Sequence, residues 1–316
     1  MEQKVVAIGG GTGLSTLLAG LKRYPVFPIA VVTVGDNGGS SGRLREDFGM
    51  PPPGDIRNVL VALSELAPNV EQLLQHRFQG PGALRGHAVG NLLLAALQEE
   101  TGDFPAAVAE LSSVLRVHGR VLPVSAEAYT LCAELEDHRT VVGESQITAA
   151  GGRIARIWLT PSVRALPAVL EALAEADMIV LGPGSLFTSV LPNLLVSGVA
   201  DAILHSNARR KVYVCNVMTQ PGETDGFTAS DHVAALEHYV GPIVDTVVLS
   251  SGSLPEEVLV RYAAEGSYPV VADVARLTAR GYRVAMEELL SRDGFARHDP
   301  VKLAALLWKL AGEKDR

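Results

Sequence analysis

The sequence predicts an α/β protein, a Rossmann-like three-layer α/β/α domain with a mainly parallel sheet and a β-rich insertion at about residues 119–160. Three observations predict it. Short apolar runs alternate with helical apolar spacing from the N-terminus onward. Two of those runs end in glycine clusters that open helices, GGGTG at 9–13 and GPGS at 182–185. Hydrophobic residues make up 47% of the 316 and aromatics only 5%, which suits buried parallel strands under helices better than an all-β sandwich.

Lys4 to Ile8 reads as a buried strand, 9–13 as a glycine loop, and Leu14 to Arg23 as a helix. Ile29 to Val34 is a second strand, so the opening forms a βαβ unit with parallel strands. The stretch GDNGGSSGRLREDFG (35–49) reads as a polar loop. PPPGD then announces a helix over 56–66, with Asp55 as its candidate cap. Helices follow over 89–100 and 108–116. Between 119 and 159, VLPVS, YTLCAELE, TVVGESQIT and RIARIWL are β-leaning segments with short polar turns, which form the antiparallel insertion. The alternation resumes with a helix at 163–175 and strands at 178–181, 211–217, 246–250 and 269–273. Ser253 and Glu256 match a capping box, and Asp299-Pro300 opens the last helix with proline in its first position. No repeat, low-complexity segment or linker appears, so residues 1–316 read as one domain.

The totals narrow the function. A formal charge of −8 without a basic stripe argues against nucleic acid as a partner. The longest apolar runs are too short for membrane insertion, and MEQKVVAIGGG lacks the pattern of a signal peptide. The two cysteines, Cys132 and Cys215, fit no zinc spacing and read as buried free thiols of a reducing compartment, so the cytoplasm is the expected location.

Chemistry concentrates in loops. Gly10, Gly11, Thr12 and Gly13 lie between a strand and a helix, where backbone amides and the helix N-terminus can meet an anion. The dinucleotide fingerprint is incomplete, since Leu14 holds its third glycine position, and no Walker lysine follows. Asp36 follows strand two, the position from which an acid accepts ribose hydroxyls, and Asn37, Gly38, Gly39, Ser40 and Ser41 add amide and hydroxyl donors. Asp55 serves equally well as a helix cap or as a catalytic carboxylate, while Arg57 and Asn58 face either ligand or solvent. In GHAVGNLLL, His87 is the more ordinary structural residue and Asn91 the better candidate for ligand contact. Gly184 and Ser185, with Thr188 nearby, repeat the physics of the first loop. Two such loops imply a ligand with separated polar parts, such as a nucleotide diphosphate ester, and a dinucleotide such as NAD stays open as an alternative.

Taken together, GGGTGLS (9–15), TVGDNGGSSGRLR (33–45), PPPGDIRN (51–58), GHAVGNLLL (86–94) and LGPGSLFTSVLPNLL (181–195) resemble the bacterial gluconeogenesis factor family. This is the YvcK-like branch of the superfamily that includes 2-phospho-L-lactate transferase (CofD). The resemblance implies a non-catalytic regulator that binds UDP-sugars such as UDP-N-acetylglucosamine, requires no cofactor, and links gluconeogenic growth to cell shape and cell-wall synthesis. It also implies regulatory or cell-wall-synthesis proteins as partners, and a homodimer is the expected assembly. Tyr262 would then stack on a uracil ring or line the sugar site, and Arg297 would pair with the diphosphate. The sister branch suggests an alternative, a magnesium-dependent transferase with Asp36 and Asp55 as metal carboxylates. The family usually shows two consecutive aspartates where this chain has Asp36-Asn37, so the metal assignment stays unknown.

Overall fold

Runs of β-branched and aliphatic residues form the strands of the computed structural model, which describes residues 2–313. In chain order they are β1 (Gln3–Gly9), β2 (Val26–Val32), β3 (Arg120–Pro123), β4 (Thr130–Leu135), β5 (Thr140–Val142), β6 (Ile154–Thr160), β7 (Met178–Leu181), β8 (Arg210–Val214), β9 (Thr246–Ser251) and β10 (Arg283–Glu288). Seven of them make one all-parallel sheet in the order β10-β9-β8-β7-β1-β2-β3. Its middle is the driest part, and every residue of β7 is buried. Such strands need cover on both faces, and the helices between them supply it.

Those helices are α1 (Gly11–Leu21), α2 (Gly39–Phe48), α3 (Gly54–Leu63), α4 (Pro68–Gln75), α5 (Val89–Thr101), α6 (Phe104–Val114), α7 (Glu144–Ala149), α8 (Pro167–Ala174), α9 (Leu191–Leu194), α10 (Val199–Leu204), α11 (Ala229–Val240), α12 (Glu256–Ala264), α13 (Val274–Ala279) and α14 (Pro300–Gly312). The last helix packs on the first so closely that a Cβ at Gly20 would lie 2.0 Å from the Pro300 carbonyl oxygen. Asp299 caps α14 by accepting from the amides of Val301 and Lys302, at 2.9 and 3.0 Å. Both cysteines are free and buried.

The chain leaves β1 for β2 and β3 on one side, then returns to place β7 on the other. Strand order therefore reverses between β1 and β7, and in open parallel sheets the crevice at such a switch point is where ligands bind. The three-stranded antiparallel sheet, in the order β5-β4-β6, is inserted between β3 and β7.

Several local expectations change. VLPVS does not belong to the insertion, because β3 pairs in parallel with β2 at the edge of the main sheet. The polar stretch after β2 is not all loop, since α2 occupies its second half. No strand forms over 269–273, where Pro269 and Val271 make only isolated bridges to Met218 and Thr228. The edge strand is instead β10, whose RVAMEE is mostly exposed and carries no clean apolar run. Ser253 does not cap α12, because Pro255 intervenes as the residue before the helix. Asp55 lies inside the first turn of α3 and receives the Gly11 amide from another loop, so it is not a local cap.

Candidate functional site

Two glycine loops meet at the carboxyl edge of the sheet. Gly11 opens α1 with φ +62°, a region that favours glycine. Gly13 sits against the loop after β7, where an added Cβ would stand 2.3 Å from the Pro183 carbonyl oxygen. Only a residue without a side chain lets the two backbones approach so closely. Asn193 ties the loops together by donating to the Gly9 carbonyl at 3.0 Å and the Ser189 carbonyl at 2.7 Å. The helix after the second loop begins as a π turn over Leu186–Val190, with the Val190 amide donating to the Ser185 carbonyl. π turns of this kind recur at functional sites.

The loops form one wall of a cavity of about 690 Å³, a size ordinary for a nucleotide-sized ligand. The segment after β8, Tyr262 on α12, and Arg297 with His298 ahead of α14 line the rest of it. Thr148, from α7 of the inserted sheet, reaches the same space. An amide chain stiffens one side. The Gly184 amide donates to Asn216 Oδ1 at 3.2 Å, Asn216 Nδ2 donates to Gln220 Oε1 at 3.3 Å, and Gln220 donates to the Ser185 hydroxyl. On the other side Arg297 pairs with Asp293 and lies 5.2 Å from the Phe295 ring centroid. The Tyr262 hydroxyl accepts the Ala296 amide at 3.2 Å, and the Arg261 guanidinium lies 5.5 Å from the Tyr262 ring. Burial pushes His298 down to about 4, so the imidazole facing this region is neutral near pH 7.

Carboxyl groups crowd beside the first loop. Burial, with the neighbouring Asp36 charge, raises Asp55 to about 7, while the Gly11 amide and Arg57 oppose the shift. Glu144, at the start of α7, is raised to about 8 by burial and by Asp36, Asp55 and Glu223, and it hydrogen-bonds Asp36. Burial lifts Glu223 to about 7 despite the Thr188 hydroxyl, which donates to it at 3.2 Å. Carboxyls held this close retain protons near neutrality. Asp36 Oδ1 accepts the Gly38 amide at 2.7 Å, so part of this set is already engaged. Among the described residues, no group of three or more His, Cys, Asp or Glu could hold a metal ion.

Gly10, Gly11, Thr12, Gly13, Gly184, Ser185, Tyr262 and Arg297 all line the one cavity. Asp36, Asn37, Gly38, Gly39, Ser40, Ser41 and Asn91 do not line its wall and form a layer beside it. Asn37 clasps α7: its Oδ1 accepts the Ser145 amide and hydroxyl, both at 3.1 Å, and its Nδ2 donates to Gln146 at 2.8 Å. Gly38 precedes α2 and Gly39 begins it. The Ser40 hydroxyl accepts from Asn91 Nδ2 at 3.0 Å and lies 3.1 Å from His87 Nδ1, and Asn91 Oδ1 accepts from Arg57 at 3.1 Å. Ser41 and Asp36 both crowd Gly54, where a Cβ would meet them at 2.4 and 3.1 Å. Asp55 joins the layers, since its carboxylate takes the Gly11 amide and stands 2.6 Å from where a Gly10 Cβ would be. Residues 9–13 and 36–41 thus lie on the same side of the molecule. Sequence reasoning missed Thr148, Asn216, Gln220, Glu144, Glu223 and His298. Only the polar NVMTQPGETDG after an apolar strand pointed toward the segment containing Asn216, Gln220 and Glu223.

The sequence and the fold have known relatives. The profile of the 2-phospho-L-lactate transferase CofD family matches residues 5–290. The gluconeogenesis factor of Halalkalibacterium halodurans is 51% identical over 306 residues, covering 96% of this chain and 95% of that protein. The gluconeogenesis factor of Bacillus subtilis is 50% identical over 315 residues, 99% of each chain. A crystal structure of a Bacillus halodurans protein superposes with a TM-score of 0.94 at 51% identity, covering 97% of this chain and all of that one. Among the described residues, no helix is long and apolar enough to cross a membrane.

Proposed function

This chain belongs to the 2-phospho-L-lactate transferase CofD family, among its gluconeogenesis factors, and from that premise we propose that it is a nucleotide-sugar-binding regulator. Its ligand is a UDP-sugar of the UDP-N-acetylglucosamine type, sensed in the cytoplasm by a homodimer that connects carbon metabolism to cell-wall synthesis through a partner protein. One observation carries the reading. Two glycine loops touch backbone to backbone in the wall of a cavity that Arg297 also lines. The Thr12 and Gly13 amides at the start of α1 suit one phosphate, and the Arg297 guanidinium, exchanging Asp293 for the ligand, suits the other. The hydroxyls and amides of Thr12, Ser185, Asn216 and Gln220 suit a sugar. Isothermal calorimetry with UDP-N-acetylglucosamine is expected to show saturable heat, with no product by mass spectrometry after long incubation. No heat at millimolar ligand, alongside tight binding of a different nucleotide, rejects the ligand.

A second reading, a transferase acting on a nucleotide diphosphate ester, is favoured by the carboxyls beside Gly10 and Gly11. The residues as arranged do not fit a bound magnesium ion, because Glu144 hydrogen-bonds Asp36 and Asp36 already accepts the Gly38 amide. Turnover of any nucleotide diphosphate ester in the presence of magnesium would establish this reading over the first.

A further inference from the structure

A second cavity, about 240 Å³, opens beside the first and shares Asn216 and Val217 with it. We propose that it is a nucleobase pocket, so that the nucleotide lies across the strand ends with its diphosphate on the glycine loops and its base beyond β8. This rests on the nucleotide-sugar reading above and says which part of such a ligand goes where. Three observations support it.

The first is position. The glycine loops follow β1 and β7, whereas the small cavity lies at the ends of β8 and β9, where Leu249 and Ser250 line it. From β7 to β9 is two strand spacings, about 10 Å, the reach of a ribose and a phosphate group. The second is composition. Val217, Leu249, Leu259, Pro269, Val270 and Leu290 give it apolar faces suited to a flat ring, and Asn216, Ser250 and Ser253 set polar groups among them for the edge of a base. Ser253 and Leu254 also line it, and among the described residues their amides donate to no other group, leaving N–H donors for the carbonyl edge of a base. The third is Tyr262, the other candidate to hold the ring. Its hydroxyl fixes the Ala296 amide and the Arg261 guanidinium lies near its ring, so it braces the segment that carries Arg297.

The test uses the full chain and two probes, UDP-N-acetylglucosamine and N-acetylglucosamine 1-phosphate, which lacks the base. Ala272 is exposed on the rim of the small cavity, and Ala272→Trp fills it from outside. The expected result is at least a tenfold loss of affinity for the UDP-sugar, with binding of the sugar phosphate unchanged. Leu259→Ala, which removes an apolar wall, should weaken the UDP-sugar alone by a smaller factor. Unchanged UDP-sugar affinity in both variants overturns the pocket while leaving the nucleotide-sugar reading intact. Equal weakening of both probes overturns it as well. If the unmodified protein binds no nucleoside diphosphate, the parent reading falls and takes this one with it. Saturation-transfer NMR of bound UDP gives an independent readout: the uracil protons should receive the strongest transfer, and stronger transfer to the ribose protons would overturn the assignment.

Discussion

Replacing Gly13 by alanine tests whether close contact of the two glycine loops is what makes the site. Gly13 lies within α1 at a helical position, where alanine is itself favourable, so the only penalty is steric. The new Cβ would meet the Pro183 carbonyl oxygen at 2.3 Å where ordinary contact begins near 3.4 Å, so the loops must part by about 1 Å. Crowding of this kind costs about 1–3 kcal/mol, which for a chain of this size lowers the melting temperature by about 2 °C per kcal/mol. Binding should suffer more than stability. A separation of this size breaks one or two amide bonds to a charged ligand group, worth about 1.5–3 kcal/mol each, or about ten- to hundredfold in affinity per bond. Calorimetry with UDP-N-acetylglucosamine and a thermal melt measure the two effects separately. Gly119→Ala serves as the stability control, since its Cβ would strike the Pro28 oxygen at 2.1 Å, away from the cavity. Gly82→Ala serves as the neutral control, with nothing within 4 Å. Wild-type affinity in a folded Gly13→Ala protein would refute the idea that converging amides hold the ligand.

Three further predictions follow from the structure. Asp55, Glu144 and Glu223 rise from ordinary values of 3.8, 4.5 and 4.5 to about 7, 8 and 7, so the folded state holds more protons than the unfolded one between about pH 4 and 8. Stability therefore declines as pH rises through that window, and affinity for an anionic ligand falls with it as the carboxyls ionise; melts and titrations at pH 6 and 8.5 check both, and a higher melting temperature at pH 8.5 contradicts the scheme. Asn37→Ala deletes the clasp on α7, at a cost of about 1 kcal/mol, and should speed amide hydrogen exchange over residues 144–149 while leaving α5 protected. Asp299→Ala removes the cap of α14 and should cost about 1 kcal/mol in a denaturant melt, with no change in the number of bound ligands.

The glycine loops were legible because strand, glycine cluster and helix are consecutive in sequence, and one short window contains the whole physical argument. Gly184, Ser185 and the cap at Asp299 could be read for the same reason. Asn216, Gln220 and Thr148 could not, since each matters only through residues brought near by strand order. Glu144 lies in TVVGESQIT, which reads as a β-leaning segment of the insertion, and only the packing of α7 against Asp36 makes it part of a carboxyl cluster. The α2 helix was hidden by its own composition: GSSG at its start has low helical propensity, and the helix stands because Ser40 and Leu44 are buried against the rest of the domain. The valines at 270 and 271 misled in the opposite sense, for β propensity without a neighbouring strand in register yields only isolated bridges.

The pairing of α1 with α14 has a consequence for the making of the protein. Residues 10–13 emerge from the ribosome long before Arg297, yet both line the same cavity. The nascent chain cannot complete its binding wall until Arg297 has been synthesised, a closure between segments far apart in sequence. A message cut short anywhere before codon 297 yields a product missing the guanidinium, however well its sheet has formed.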